Sequence, residues 1–340
     1  MKNLFILTLL FISTFSFSQS KKAKKLVNLA NEKVLAKDYQ GAISDYNKAI
    51  ELDPNNSNVY NLRGISKDYL KDYQGAISDY SKSIELDPNF AKAYIGRGLS
   101  KVEINDYYGA ISDFTKGIKL DSNNAKAYNL RGFSRAKLKE YQEAISDYCK
   151  AIDLDPNFTN AYCNRGDSKA LMKNFQGAIE DYNKAIELDS NYTTVYHNRG
   201  YSKAEIKDYK GAIIDYNKAL DLDTNYVEAY YNRAYSKTRI NDYLGAISDY
   251  NKTIELDIYY ADAYNNRGLT KTKINDFQGA IVDFDKAIDL NPNDAYPYYN
   301  RGVAKFQVGD KSGACLDWGM SIKLNPDDIE LKNDIRKNCQ

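Results

Sequence analysis

The chain has 340 residues, with 47 Lys plus Arg against 46 Asp plus Glu and a formal net charge of +1. So even a balance supplies no large field for nucleic acid or anionic lipid, and neither is expected as a partner. One histidine and four cysteines, with no CxxC or Cys/His grouping, give no basis for a metal centre, and no cofactor is expected.

Met1 and Lys2 precede an uncharged, mostly apolar run from Leu4 to Phe17, the pattern of a secretory signal. In a helix that run rises about 21 Å against a hydrocarbon core of roughly 30 Å, so cleavage is expected rather than anchoring. Ser16 and Ser18 are small enough for a peptidase site before Gln19. This gives a signal over residues 1–18, a short linker over 19–22, and a mature chain exported to the periplasm or the extracellular space. The first cysteine is Cys149, so the leader does not resemble a lipoprotein signal. No later stretch is comparably apolar, and the mature chain is not expected to insert in a membrane.

From residue 23 the sequence repeats every 34 residues, with units starting near 23, 57, 91, 125, 159, 193, 227, 261 and 295 and the last ending near 326. Arg63, Arg97, Arg131, Arg165, Arg199, Arg233, Arg267 and Arg301 keep that period. So do Asp45, Asp79, Asp113, Asp147, Asp181, Asp215, Asp249, Asp283 and Asp317, and Ala42 through Ala314 fill all nine units. The first unit differs, with Leu29 and Ala30 in place of Arg-Gly. In the sixth, Tyr196, Gly200 and Lys203 share one helical face, and a break follows at Lys207 and Asp208. Asp208 is an N-cap for a second helix whose apolar stripe is Ala212, Tyr216, Ala219 and Leu220. Eight units carry Asp or Asn at that cap, and Glu140 is the exception. Gly200 and Ala212 are small where the two helices would touch. One such hairpin cannot bury its stripe alone, so neighbours must stack. Residues 327–340 read as a further helix and tail that cap the last hairpin, with Ile329 and Leu331 as core contacts.

The pattern resembles the tetratricopeptide repeat family: Tyr196, Gly200, Ala212 and Tyr216 match its signature, over residues 23 to about 326. The resemblance implies an all-α solenoid of nine helix-turn-helix hairpins, wound as a right-handed superhelix with a concave groove. Two positions depart from the family pattern, Arg199 for its usual Leu and Lys203 for its usual Tyr. Both are read with Asp215. An Arg pointed at a helix interface needs a carboxylate, so an ion pair within each hairpin is expected from Arg63/Asp79 through Arg301/Asp317, with pairing to the adjacent unit as the alternative.

Cys149/Cys163 and Cys315/Cys339 lie 14 and 24 residues apart and recur in no other unit, so isolated thiols are expected. With Tyr196 facing the core, a 100° step places His197, Asn198, Tyr201 and Glu205 on the opposite side of the first helix. In the resembled family that side lines the groove. Asn164, Asn198, Asn232, Asn266 and Asn300 form a row at the repeat spacing, and Tyr231, Tyr235 and Tyr299 accompany it. A carboxamide carries a donor and an acceptor, so the row could pair with an extended peptide backbone; a similar ladder lines the superhelix of O-linked N-acetylglucosamine transferases. The first units show Leu62, Ile65, Gly96, Leu99, Leu130 and Phe133 at equivalent places, a more apolar face.

No constellation of base, nucleophile and orienting group accompanies His197, and no Walker, HExxH or GxSxG motif is present. The expected function is a non-catalytic scaffold binding protein or peptide. Carbohydrate binding or an envelope-structural role is the alternative, because a Tyr and Asn face could also hold sugars.

Overall fold

The end of every first helix is set by one backbone residue. Lys71, Asn105, Lys139, Lys207 and Asn241 take φ between 61° and 67°, and Gly309 takes 90°. A left-handed residue closes the helix and reverses the chain, at about 1–2 kcal/mol for a side chain other than glycine. The next residue then caps the second helix directly: the Asp208 carboxylate accepts from the Gly211 N–H at 3.0 Å, and Asp72, Asp106, Asp242, Asp276 and Asp310 act alike. Glu140 makes no such bond, being one methylene too long.

The computed structural model describes residues 21–326, 338 and 339. The leader at 1–18 and nearly all of the expected capping segment at 327–340 lie outside the described residues. Residues 21 and 22, expected in a linker, are already helical. Among the described residues there are eighteen helices and no strand, and within each compact unit successive helices pair as hairpins. By contacts the chain divides into two compact units, one ending at Met172 and the other starting at Lys173. The first holds α1 (21–35), α2 (Tyr39–Leu52), α3 (Ser57–Tyr69), α4 (Tyr73–Leu86), α5 (Ala91–Glu103), α6 (Tyr107–Leu120), α7 (Ala125–Lys137), α8 (Tyr141–Leu154) and α9 (Thr159–Leu171). The second holds α10 (Phe175–Leu188), α11 (Thr193–Glu205), α12 (Tyr209–Leu222), α13 (Val227–Arg239), α14 (Tyr243–Leu256), α15 (Ala261–Thr272), α16 (Phe277–Leu290), α17 (Ala295–Gln307) and α18 (Lys311–Leu324).

Within each unit a first helix is enclosed on three sides. α11 packs on α12 of its own hairpin, on α10 of the preceding one and beside α13. The core between them is built from alanines with no exposed surface, Ala212 and Ala246 among them, and one large ring per second helix. Tyr46, Tyr80, Tyr148, Tyr182, Tyr216 and Tyr250 supply it, with Phe114, Phe284 and Trp318 as substitutes. Burying such a ring contributes about 1.5–3 kcal/mol. The glycine at position 200 is explained by this ring rather than by Ala212: a Cβ there would lie 2.8 Å from Tyr216 Cε1. Gly98, Gly132 and Gly268 make the same room for Phe114, Tyr148 and Phe284.

Two cysteines depart from the expectation of isolated thiols. Cys315 on α18 and Cys339 are disulfide-bonded, with Cα atoms 5.7 Å apart. Their spacing of 24 residues carries no sign of this, because the returning segment belongs to no repeat. Cys149 and Cys163 are not disulfide-bonded. Among the described residues no helix is long and apolar enough to cross a membrane.

Candidate ligand-binding face

The first helices carry the predicted site residues, and the Arg column fixes how those helices sit. Arg199 Nε and Nη2 donate to Asp215 at 2.9 and 2.6 Å, a two-point pair inside the hairpin. Lys203 Nζ reaches the same carboxylate at 2.8 Å. Asp215 is only 1% exposed, so a charge this deep is held by two cations. The same pairs form at Arg63/Asp79, Arg97/Asp113, Arg131/Asp147, Arg233/Asp249, Arg267/Asp283 and Arg301/Asp317. Arg165 closes the first unit and Asp181 lies in the second.

The remaining arm of the guanidinium reaches the preceding hairpin, a contact that the spacing of Arg and Asp does not reveal. Arg199 Nη1 donates to Asn183 Oδ1 on α10 at 2.8 Å, and Arg233 and Arg267 reach Asn217 and Asn251 likewise. Each guanidinium thus joins its own hairpin to the one before. It also lies over the tyrosine three residues earlier, Arg199 at 5.6 Å from the Tyr196 ring centre. In the first hairpin, where Leu29 replaces Arg, Lys33 alone crosses to Asp45, at 2.6 Å.

The asparagine row is half-buried, and its amides are engaged. Asn232 Nδ2 donates to His197 Nε2 at 2.9 Å, Asn266 Nδ2 to Tyr231 Oη at 2.7 Å, and Asn300 Nδ2 to Asn265 Oδ1 at 2.9 Å. Asn164 does the same to Asn129 in the first unit, at 3.0 Å. Each partner stands 35 residues earlier, on the first helix of the preceding hairpin. Anchoring the nitrogen fixes the direction of each Asn carbonyl oxygen.

The other predicted groove residues divide into two sets. Tyr201 and Tyr235 are each 43% exposed beside the asparagines. His197 and Tyr231 instead lie in the seam between hairpins, and Tyr299 packs within its own hairpin. Tyr231 packs on Tyr250 and Tyr260, with ring centres at 5.9 and 4.9 Å, and Tyr299 packs against the core around Trp318. His197 sits between Tyr216 and Tyr226, at 5.7 and 4.9 Å. Because Asn232 donates to its Nε2, its Nδ1 carries the proton and donates to Asn198 Oδ1 at 3.1 Å. Burial lowers the His197 pKa below the usual 6.5 and keeps the ring neutral. It has the surroundings of a packed residue rather than of a general base.

A second feature lies in the first unit, on the faces of α3 and α5. A hollow of about 570 Å³ is lined by Ile65, Ile95 and Leu99, with Tyr69 and Tyr73 at its edge. Asp68 stands in its wall and accepts from Tyr80 Oη at 2.7 Å and Ser100 Oγ at 2.6 Å. Burial raises the Asp68 carboxyl above its ordinary range. The apolar character of this face is legible in the sequence, but the place of Asp68 in it is not. The available signal was a single break in a column that otherwise reads Val102, Ala136, Ala170, Ala204, Thr238, Thr272 and Phe306.

Models described as tetratricopeptide repeat match residues 159–192 and 261–294, and residues 57–90 and 193–226. A model described as TPR repeat matches residues 30–66 and 134–173. No curated protein matches the chain. Among solved structures, a tetratricopeptide repeat protein from Parabacteroides merdae has a TM-score of 0.54 at 18% identity, covering 74% of this chain and 99% of its own. PilF of Pseudomonas aeruginosa has a TM-score of 0.53 at 20% identity, covering 59% and 91%. YrrB, described as a TPR protein with an unusual peptide-binding site, has a TM-score of 0.50 at 24% identity, covering 54% and 95%. At these identities the likeness is one of fold.

Proposed function

The chain belongs to the tetratricopeptide-repeat family, and from that premise we propose that it is a non-catalytic scaffold that holds an extended polypeptide along the first helices of its second unit. The observation that carries this reading is the anchoring of Asn232, Asn266 and Asn300 through their nitrogens. An extended chain offers backbone N–H groups at regular intervals, and a row of amide oxygens held in fixed directions suits them; each oxygen has two lone pairs, so Asn266 keeps one beside the long contact it accepts from Asn265 at 3.5 Å. Asn198, whose oxygen accepts from His197, begins the row. Tyr201 and Tyr235 supply flanking aromatic surface, the residue type that most often anchors such contacts.

Export is part of the same proposal. The apolar leader from Leu4 to Phe17 supports it, and the Cys315–Cys339 disulfide suits an oxidising compartment. Secreted protein should begin at Gln19 by mass.

Random-peptide display on the full chain tests the binding reading. Selected peptides should lose at least tenfold in affinity to a Tyr201→Ser/Tyr235→Ser/Asn232→Leu variant. Those tyrosines are exposed, and Leu62 and Leu130 occupy the equivalent of Asn232 in other hairpins, so the variant should fold. Equal affinity for the variant rejects this face as the binding surface.

A further inference from the structure

The repeat pattern breaks at two neighbouring places in the second and third hairpins. Gly96 stands where other hairpins carry Leu62, Leu130 or Asn164, and Asp68 stands where they carry Val102, Ala136 or Thr238. The glycine is required by a close approach, since a Cβ there would lie 2.6 Å from Tyr80 Cε1. Its missing side chain leaves open the hollow of about 570 Å³, within the roughly 300–1,000 Å³ range of pockets that enclose small ligands.

The charge in that hollow differs from the buried acids that the Arg column pairs. Asp79 is neutralised by Arg63 and Lys67, and Asp113 by Arg97 and Lys101. Among the described residues Asp68 has only the hydroxyls of Tyr80 and Ser100 on its two oxygens. The charges acting on it are acids, Glu103 on α5 and Asp72 ahead of α4. Two hydroxyl donors orient the carboxylate without cancelling its charge, so the site is complementary to a cation. Glu103 lies on the same lining, and so do Lys92 and Lys126, nearer the starts of α5 and α7.

We infer that this hollow receives the side chain of a Lys or Arg residue on a bound polypeptide, its stem against Ile65, Ile95 and Leu99 and its charge on Asp68. Lys92 and Glu103 sit eleven residues apart on α5, about 16 Å along the helix, so the lining is acidic at one end and basic at the other. A polyamine entering at Asp68 would turn its second charge toward the lysines. One basic side chain on an uncharged backbone meets no such repulsion. The inference rests on the chain being a polypeptide binder but not on the asparagine row, since Asp68 and Gly96 lie in the other unit.

The test uses the full chain with ¹³C-labelled Ile and Leu methyl groups. The probe is an acetylated, amidated Ala-Leu-Lys-Leu-Ala peptide, set against the same peptide with norleucine for lysine. The lysine peptide should move the Ile65, Ile95 and Leu99 methyl resonances at concentrations at least tenfold lower than the norleucine peptide. Asp68→Asn should remove that preference, and Glu103→Gln should reduce it a few-fold. The two-peptide comparison on the unaltered chain decides the matter even if Asp68→Asn is poorly folded. Equal shifts from both peptides, shifts confined to other methyl groups, or full affinity in folded Asp68→Asn would overturn the inference. n-Butylamine binding as tightly as the lysine peptide would overturn the polypeptide occupant. A loss of peptide binding on changing Tyr201 and Tyr235 would leave these resonances responsive, so the two proposals fail separately.

Discussion

Removing Arg199 and Asp215 singly and together measures the pair that the repeat depends on most. Arg199 donates twice to a carboxylate that is 1% exposed, and charge-assisted bonds of this kind contribute about 1.5–3 kcal/mol each. Lys203 stays 2.8 Å from the same carboxylate when Arg199 is gone. Arg199→Met should therefore cost about 2–3 kcal/mol, below the roughly 3–5 kcal/mol of a buried charge left with no partner. Asp215→Asn leaves two cations facing an amide and should cost about 3–5 kcal/mol. The double variant should cost little more than Asp215→Asn, which corresponds to a coupling of about 2–3 kcal/mol. A solenoid opens locally, so amide hydrogen exchange of α11 and α12 is the suitable assay. A coupling under about 0.5 kcal/mol, the range of exposed pairs, refutes the buried-pair reasoning.

Glu140→Asp should gain at most about 1 kcal/mol for the fourth hairpin in thermal or urea unfolding, because the bond would run to Glu143 rather than to the glycine of the other caps, and a Cβ at Gly211 would lie 2.1 Å from Asp208 Oδ2. Gly302→Ala should cost about 1–3 kcal/mol, since the new Cβ would lie 2.5 Å from Trp318 Nε1. Gly64→Ala should be near neutral, because its Cβ meets the Tyr80 ring only at 3.0 Å and Ala234 already occupies the equivalent place in the seventh hairpin. His197 has a depressed pKa in the folded chain, so its contribution is present above about pH 6.5 and is lost as pH falls through the folded value. His197→Asn, the residue found at Asn129 and Asn265, should abolish that slope in urea midpoints measured from pH 7.5 to 5. Cys315→Ser should lower stability by up to about 3 kcal/mol through loss of a 24-residue crosslink, seen as a lower melting temperature that reductant no longer changes.

Features that recur were legible in the sequence. The period of 34, the cap at Asp208 with its exception at Glu140, and the spacing of Arg199 to Asp215 all follow from one hairpin read nine times. The right neighbours were harder to read. A 100° step from Tyr196 treats a helix as having one buried side, whereas α11 has its own partner, the preceding second helix and the next first helix around it. His197 and Tyr231 accordingly pack in the seams, Tyr299 packs on Trp318 of its own hairpin, and of the predicted aromatic residues only Tyr201 and Tyr235 stand well exposed. Single-copy features were the least legible. Asp68 looks like one more surface acid until Tyr80 and Ser100 are seen on it, and Cys339 gives no sign of returning to Cys315.

The most direct test of the binding account is a methyl and amide shift map of the full chain with a display-selected peptide bound. The account predicts that the side-chain amides of Asn232, Asn266 and Asn300 and the rings of Tyr201 and Tyr235 move together, in a line that repeats every 34 residues. Shifts confined to the second helices, such as around Ile214, Leu244 and Val282, would contradict it.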